Sequence, residues 1–230
     1  FNAPNGTELL IKPYPKDKQD SPRIARYQRP RLAQPAGIFY VNQGRITDHP
    51  KYLMKTLAVH EAIPGHHYQT TVMRDSYDLS LLAQMLPIRS YQEGWAMYAE
   101  QLGYEYSPKT PRDSAGYILS NLLRLTRLSV DTGVHAYGWT RQKSIDFYLE
   151  NTDLNQVAAE REVDRIIALP GQACAYFVGK WTIISLRDLA KKILGPRFSL
   201  KDFHEDILSE GPTPLVLLKQ KMVEKWESRR

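Results

Sequence analysis

The chain has 230 residues, of which 42% are hydrophobic and 24% charged, enough for one sizeable core or two small ones in a globular protein. It contains no run of about 18 apolar residues, so no segment is expected to span a membrane. The net charge of +6 comes from scattered basic residues rather than from a basic run interleaved with aromatics, which argues against a nucleic-acid partner. The single cysteine, Cys174, excludes an internal disulfide.

The first 36 residues are expected to form an irregular, proline-rich lead-in. Too many prolines occur there for a continuous helix, namely Pro4, Pro13, Pro15, Pro22, Pro30 and Pro35. Residues 37–42 form the best candidate strand, because they are β-branched and aromatic and end at Asn-Gln-Gly. The sequence therefore predicts a mainly α-helical domain over residues 37–230, with a short β element near 37–42.

From residue 50 onward the sequence is typical of consecutive helices. Pro50 can begin the first of them, and its apolar residues continue to Ile63. A second helix is predicted from about Tyr91 to Tyr106. Later helices are predicted near Pro111, between Pro170 and Gly195, and after the capping residues Thr140, Asn155, Ser199 and Thr213.

Three of the six histidines fall within residues 60–67, which read His-Glu-Ala-Ile-Pro-Gly-His-His. Zinc peptidases commonly place two histidines four residues apart on a helix, with a glutamate after the first. That spacing puts both imidazoles on one helix face, where they can share a metal ion. Glu61 follows His60 here and can act as a general base on a water molecule.

The spacing from His60 to His66 is six residues rather than four, which leaves the side chains roughly 120° apart on a straight helix. The ring of Pro64 clashes with the carbonyl of His60, and Gly65 permits unusual dihedral angles. We therefore predict a kink or bulge at these two residues that brings His60 and His66 together. His66 is favoured as the second ligand, with His67 as the alternative.

A catalytic zinc site needs a third protein ligand and an open position for water. Glu93 and Glu100 lie seven residues apart on the second helix and share a face. Gly94, beside Glu93, allows this helix and the helix of His60 to approach each other closely, so we predict that Glu93 is the third ligand and reaches the two histidines across a helix–helix contact. Glu100 is expected to accept a hydrogen bond from a ligand imidazole, or else to be a solvated charge.

These motifs resemble those of the bacterial domain-of-unknown-function family 885. The pattern His-Glu-Ala-x-Pro-Gly-His-His occurs at residues 60–67 and Glu-Gly-Trp-Ala-x-Tyr-Ala-Glu at 93–100, and further matching stretches lie at 130–139 and 170–179. Members of that family are longer, so the resemblance implies that this chain is a C-terminal half whose N-terminal half is missing. The family is similar to helical zinc peptidases of the carboxypeptidase Taq and thimet oligopeptidase type, which implies a zincin-like fold and a zinc cofactor.

The same resemblance implies further site residues. Thimet-type enzymes use a His and a Tyr to stabilise the oxyanion, and His135 and Tyr176 are the corresponding candidates. The alternatives are a core histidine bonded to Asp131 and a tyrosine that packs between helices. In such enzymes an edge strand holds the extended substrate, and residues 38–42 are expected to do so here.

The sequence thus predicts a zinc-dependent peptidase with His60, His66 and Glu93 as metal ligands, Glu61 as general base and a peptide as substrate. The alternatives are a metal-binding protein without catalysis and a metal-dependent hydrolase of non-peptide amides or esters. Resemblance to secreted bacterial members implies a location in the periplasm or cell envelope.

Overall fold

The structure is a computed structural model that describes residues 1, 7–19, 24–31, 33–44, 49–75 and 86–230. Across these ranges the chain is mainly helical, as predicted, with one small sheet near its start. Pro4 and Pro22 of the predicted lead-in lie outside the described residues. No helix in the described part of the chain is both long and apolar enough to cross a membrane.

The sheet has three short strands, β1 (Leu9–Pro13), β2 (Ala25–Gln28) and β3 (Gly37–Val41). The strand predicted at residues 37–42 is therefore confirmed as β3. The expectation of an irregular lead-in is incomplete, because β1 and β2 both lie within residues 1–36. The prolines of this segment do not prevent the strands from forming, because Pro13 is the last residue of β1 and β2 contains no proline.

The strand order β1-β3-β2 makes β3 the central strand, parallel to β1 and antiparallel to β2. The prediction that residues 38–42 form a substrate-binding edge is therefore wrong, because neighbouring strands occupy both sides of β3. The edge that packs beside the first helix belongs to β2.

The helices follow one another closely along the rest of the chain. They are α1 (Met54–Glu61), α2 (His66–Asp75), α3 (Arg89–Tyr106), α4 (Pro111–Tyr137), α5 (Arg141–Asn151), α6 (Gln156–Ala168), α7 (Cys174–Leu194), α8 (Leu200–Ser209) and α9 (Leu215–Glu227). The predicted caps Thr140, Asn155 and Ser199 are confirmed, since each side chain accepts a bond from a backbone N–H three residues later. The cap predicted at Thr213 is wrong by one residue, because Pro214 is the N-cap of α9 and the Thr213 hydroxyl donates to a preceding carbonyl.

The buried apolar side chains form two clusters. The larger lies among α2, α3, α7, α8 and α9 around Trp95 and Trp226, and the smaller lies among α4, α5 and α6 around Val130 and Ile145. Helix α3 packs most extensively against α7, because Gly94 and Gly179 face each other with no side chain between them. A Cβ on Gly94 would lie 2.5 Å from the Cα of Gly179. The close approach predicted at Gly94 is thus present, but its partner is α7 and not the helix of His60.

A charged cluster joins α4 to α6. Arg127 donates two hydrogen bonds of 2.8 Å to the carboxylate of Glu162, and Arg165 donates a third of 3.0 Å. Burial raises the pKa of Glu162, but the two guanidinium groups outweigh it and lower the pKa to about 2. The carboxylate therefore stays ionised in the folded protein down to strongly acidic pH.

We expect Glu162→Gln to lower the free energy of unfolding at pH 7 by about 2 kcal/mol, because the substitution leaves two arginines without their acceptor. The folded-state pKa of Glu162 lies below the ordinary value of 4.5, so its contribution is present above pH 4.5. It is lost as the pH falls from 4.5 through about 2. Urea denaturation over this pH range measures the difference. Glu150→Gln, the same change at an exposed residue of α5, is the control, and identical pH profiles for both variants would contradict the prediction.

Candidate metal centre

The helix that carries His60 stops at Glu61, and a new helix begins at His66. The predicted break at Pro64 and Gly65 is therefore confirmed, as a turn between two helices rather than as a bulge within one. Gly65 is required in this turn, because a Cβ there would lie 1.9 Å from the carbonyl oxygen of His60. The backbone of the turn thus packs directly on the last turn of α1.

Helix α3 holds this turn from the other side. The indole Nε1 of Trp95 donates a 2.8 Å hydrogen bond to the carbonyl of Pro64. Trp95 is itself fully buried between α3 and the larger core. Three consecutive residues of α3 therefore have different structural roles. Glu93 points to the histidines, Gly94 allows α7 to pack closely, and Trp95 holds the turn by its hydrogen bond.

The break brings three potential ligands together. His60 Nε2 and His66 Nε2 each lie 3.5 Å from Oε2 of Glu93, and the ligand atoms of all three residues lie within 4.8 Å of one another. Zinc–ligand bonds of about 2.0–2.1 Å in a tetrahedron separate neighbouring ligand atoms by about 3.4 Å. The predicted approach of Glu93 to the histidines across a helix–helix contact is confirmed, and the two distances of 3.5 Å to Glu93 are close to that separation.

Glu100 fixes the orientation of His60. Its Oε1 lies 2.6 Å from His60 Nδ1, and because a carboxylate accepts, Nδ1 carries the proton and Nε2 faces Glu93. Glu100 is 3% exposed, so it is not a solvated charge and the predicted bond to a ligand imidazole is confirmed. Its carboxylate also accepts bonds from Ser120 Oγ at 3.0 Å and from Arg124 Nη2 at 3.5 Å.

Sequence reasoning missed Ser120 and Arg124. They lie four residues apart on α4 and so share a face, and the Arg124 guanidinium also bonds the Ser120 hydroxyl. The four-residue spacing could have indicated that Ser120 and Arg124 act together. Nothing local in the sequence, however, shows that this face of α4 packs against Glu100.

The ionisable groups of the cluster shift one another's proton affinities. Burial lowers the pKa of His60, but hydrogen bonds to Glu100 and Glu93 outweigh it and raise the pKa to about 10. Burial raises the pKa of Glu93, yet the hydrogen bonds to His60 and His66 hold it far below its usual value. Without a metal, a proton on His60 therefore balances the surrounding carboxylates, and a divalent cation can replace it.

Glu61 lies beside the cluster without belonging to the three-ligand set. It is 9% exposed, and its charge is close enough to contribute to the raised pKa of His60. Its Oε2 accepts a 2.7 Å hydrogen bond from the main-chain N–H of Tyr27 in β2. Tyr27 was not among the residues predicted from the sequence, because only the three-dimensional pairing of β2 with α1 brings it here.

His67 points away from the metal ligands and towards the sheet. Its Nε2 lies 3.2 Å from the carbonyl oxygen of Thr7, which can only accept, so Nε2 carries the proton. Burial lowers the pKa of His67 and favours the neutral ring, so the Tyr27 hydroxyl donates to Nδ1 over 3.1 Å. The geometry thus selects His66 over His67 as the partner of His60.

The structure does not bring His135 to the cluster. It is exposed, and its Nε2 lies 3.0 Å from the carbonyl of Ile166. Fifteen helical residues separate it from Ser120, which is about 22 Å along α4. The alternative bond to Asp131 is also absent among the described contacts, because that carboxylate accepts from the backbone N–H groups of residues 171 and 173.

Tyr176 lies on α7, and no contact between it and the cluster is seen among the described residues. It precedes Gly179 by one turn of α7, and Gly179 contacts Gly94 beside Glu93. The guanidinium of Arg127 lies 5.5 Å from the centre of the Tyr176 ring. This contact agrees with the alternative of a tyrosine that packs between helices.

The fold and site define a mainly helical domain with a two-histidine, one-glutamate cluster at a broken helix. The chain belongs to the family described as bacterial protein of unknown function (DUF885), whose family model matches residues 1–222. No curated protein matches the chain.

Two solved structures are similar to it. The putative lipoprotein from Colwellia psychrerythraea has 34% sequence identity and a TM-score of 0.93, over 99% of this chain and 39% of that one. A putative lipoprotein of unknown function from Shewanella oneidensis has 25% identity and a TM-score of 0.78, over 94% and 40%. The chain therefore spans about two fifths of the length of these proteins.

Replacing Glu100 by Gln is expected to lower the pKa of His60 from about 10 towards the ordinary value of 6.5, because the strongest acceptor of its Nδ1 proton is lost. Proton NMR titration of the imidazole in metal-free protein measures the change. Glu105→Gln on the same helix is the control, since Glu105 pairs with Arg187 instead. A His60 titration that is the same in both variants would disprove the assigned role of Glu100.

Proposed function

We propose that this protein is a zinc-dependent peptidase. The observation that carries the proposal is the convergence of His60 Nε2, His66 Nε2 and Glu93 Oε2, with Glu61 next to them but outside the set. Two imidazoles and one carboxylate are the donor set of many catalytic zinc sites, and they leave a coordination position open. Bound zinc would lower the pKa of a water molecule and polarise a substrate carbonyl.

The chain's own residues supply the proton transfers. Glu61 accepts a hydrogen bond at Oε2, and no described residue bonds its other carboxylate oxygen. It takes a proton from the attacking water and delivers it to the leaving amine as the peptide bond breaks. Glu100 keeps the proton of His60 on Nδ1, so that Nε2 would be the nitrogen that holds the metal ion.

Glu61 also favours catalysis over metal binding alone. A structural zinc site is closed by four protein ligands and needs no base, whereas this cluster has three ligand residues among the described residues and a buried carboxylate beside them. Burying a carboxylate that binds no metal is costly, and a catalytic role accounts for its place.

The sheet edge favours a peptide over a non-peptide amide or ester. Asn42 N–H donates to the carbonyl of Ile24, so in this antiparallel pairing the backbone groups of Ala25 and Tyr27 point away from β3. The N–H of Tyr27 is bonded to Glu61, so the groups that this edge of β2 can offer to a substrate are the N–H and carbonyl of Ala25 and the carbonyl of Tyr27. An extended peptide main chain can pair with such an edge, which a small ester cannot do.

Tyr176 remains our proposal for the group that donates to the oxyanion, because Gly179, one turn later on α7, contacts Gly94 beside Glu93. His135 is not proposed for this role, since its side chain bonds the Ile166 carbonyl far along α4.

We further propose that the N-terminal half of the same protein covers part of this domain, in the cell envelope. The solved relatives, both described as lipoproteins, are much longer than this chain. On α4 the apolar side chains of Ile118, Leu122 and Leu125 form an exposed stripe at helical spacing. A contiguous apolar stripe of this kind is typical of a surface that another segment covers.

The two adjacent histidines are expected to respond differently to substitution. His66→Gln should reduce zinc content after dialysis from near one ion per chain to below about a tenth, because one of three ligands is lost. His67→Gln should retain zinc, since His67 faces Thr7 and Tyr27 instead. Elemental analysis of both purified variants measures the contrast, and the reverse pattern would show that the second ligand is misassigned.

Replacing Glu61 by Gln separates an enzyme from a metal-binding protein. The change keeps the size of the side chain but removes the base, so peptide hydrolysis should fall at least about a hundredfold while zinc content is unchanged. His60→Ala should lose zinc and activity together. Loss of zinc from Glu61→Gln would make Glu61 a ligand, and full activity with bound zinc would refute the catalytic proposal. A panel of peptide and ester substrates distinguishes the two hydrolase alternatives.

A further inference from the structure

Tyr27 makes two contacts that link the sheet to the candidate metal centre. Its main-chain N–H points out of the free edge of β2 and donates to Oε2 of Glu61 over 2.7 Å. Its hydroxyl lies 3.1 Å from Nδ1 of His67, the residue that follows the ligand His66. One residue of the strand therefore holds the carboxylate beside the metal ligands and is itself held by the helix of the second ligand.

The side-chain contact is closely packed. Gly37 in β3 lies against it, and a Cβ at that position would lie 2.5 Å from His67 Nδ1 and 2.7 Å from the Tyr27 hydroxyl. His67 is 1% exposed, and its other nitrogen donates to the Thr7 carbonyl, two residues before β1. The ring is therefore hydrogen-bonded both to the segment that leads into β1 and to Tyr27 in β2. The absence of a side chain at Gly37 is what allows the Tyr27 ring to reach His67.

The main-chain contact restrains a group that would otherwise rotate. A glutamate at the end of a helix has several accessible rotamers, whereas a proton acceptor must be held within hydrogen-bond reach of its water. A hydrogen bond from a main-chain N–H to a carboxylate is stronger than one between two neutral groups. It occupies Oε2, and since no described residue bonds Oε1, that oxygen is the one assigned to accept the proton.

We propose that Tyr27 is a positioning residue for Glu61, with its N–H orienting the carboxylate and its hydroxyl bond to His67 setting the position of β2 against α2. The catalytic part of this inference rests on the proposed peptidase function. It assigns the second histidine of the His66–His67 pair to the strand rather than to the metal. It also makes the main chain of β2 part of the catalytic apparatus.

Amide hydrogen exchange of the metal-free protein tests the contact without any assay of activity. The amides of Ala25 and Tyr27 both point out of the free edge, but only that of Tyr27 has an acceptor among the described residues. Tyr27 N–H should therefore exchange slowly in the wild type and at least about tenfold faster in Glu61→Ala, while the Ala25 amide exchanges rapidly in both. Unchanged protection of Tyr27 in Glu61→Ala would overturn the proposal.

Kinetics of the zinc-loaded protein test the positioning role. Tyr27→Pro removes the N–H without breaking the ladder to β3, and Tyr27→Ala removes the side chain alone. We expect kcat to be at least about tenfold lower in Tyr27→Pro than in Tyr27→Ala, with equal zinc content. Ala25→Pro is the matched proline control on the same edge and should raise KM rather than lower kcat. Equal kcat in the two Tyr27 variants would refute the role of the N–H.

The hydroxyl bond is tested by Tyr27→Phe, which should speed exchange of the residue 27 amide and lower kcat several-fold while zinc is retained. Tyr137→Phe, at a tyrosine that is 77% exposed, is the control.

The two proposals can fail independently. If the wild type hydrolyses nothing, the peptidase proposal fails, and the exchange result alone still decides whether Tyr27 holds Glu61. If Glu61→Gln is inactive but Tyr27→Phe matches the wild type in exchange and kcat, the anchoring role of the hydroxyl fails while the peptidase proposal stands.

Discussion

The site depends on the contact between the backbone of Gly65 and the carbonyl oxygens at the end of α1. A Cβ at residue 65 would lie 1.9 Å from the oxygen of His60 and 2.3 Å from that of Val59, so only glycine permits the chain to turn there. This turn allows α2 to begin at His66 with its first side chain beside His60. Trp95 fixes the turn from α3, and the same helix supplies Glu93 and Glu100. The spacing of the ligands is therefore set by backbone packing before any metal is considered.

Buried charge is the second constraint. Glu100 and His60 are buried and Glu93 is partly buried beside them, and each charge would be costly to bury alone. Arg124 and Ser120 compensate Glu100, and Glu100 in turn directs the proton of His60. On the Nε2 side, the described residues provide Glu93 with no charge compensation beyond the two histidines. The divalent cation of our proposal would supply it and would bring Glu93 and both imidazoles to a common centre.

Local sequence was sufficient for the break in the helix and for the three proposed ligands. Pro64 clashes with the His60 carbonyl whatever the rest of the fold, and the seven-residue spacing of Glu93 and Glu100 puts them on one helix face. The features it did not predict depend on contacts distant in sequence. Strands β1 and β2 are short and lie among prolines, and only their pairing with β3 defines them. The expectation for residues 38–42 failed because the order of strands cannot be read from one strand.

The position of His135 shows the limit of analogy. It was assigned from the order of residues in other helical peptidases, but α4 is a continuous helix of 27 residues and carries its two ends far apart. Ser120 and Arg124, near the start of that helix, reach Glu100, whereas His135 near its end cannot. The position of a residue along this long helix therefore determines whether it can reach the cluster, whatever its type or its motif.

The paired histidines of α2 account for how the sheet and the helices act together. Successive residues on a helix point about 100° apart, so His66 and His67 necessarily face different neighbours. One faces the ligands on α1 and α3, and the other faces Tyr27 in β2. A displacement of β2 relative to α2 would break the bond to His67 and move the N–H that Glu61 accepts. Strand β2, which we propose to bind substrate, is thus connected to the proposed base Glu61 by a direct hydrogen bond. Because the N–H of Tyr27 is bonded to Glu61, a peptide would pair with the remaining outward groups of β2, the N–H and carbonyl of Ala25 and the carbonyl of Tyr27, and would lie next to the proposed proton acceptor.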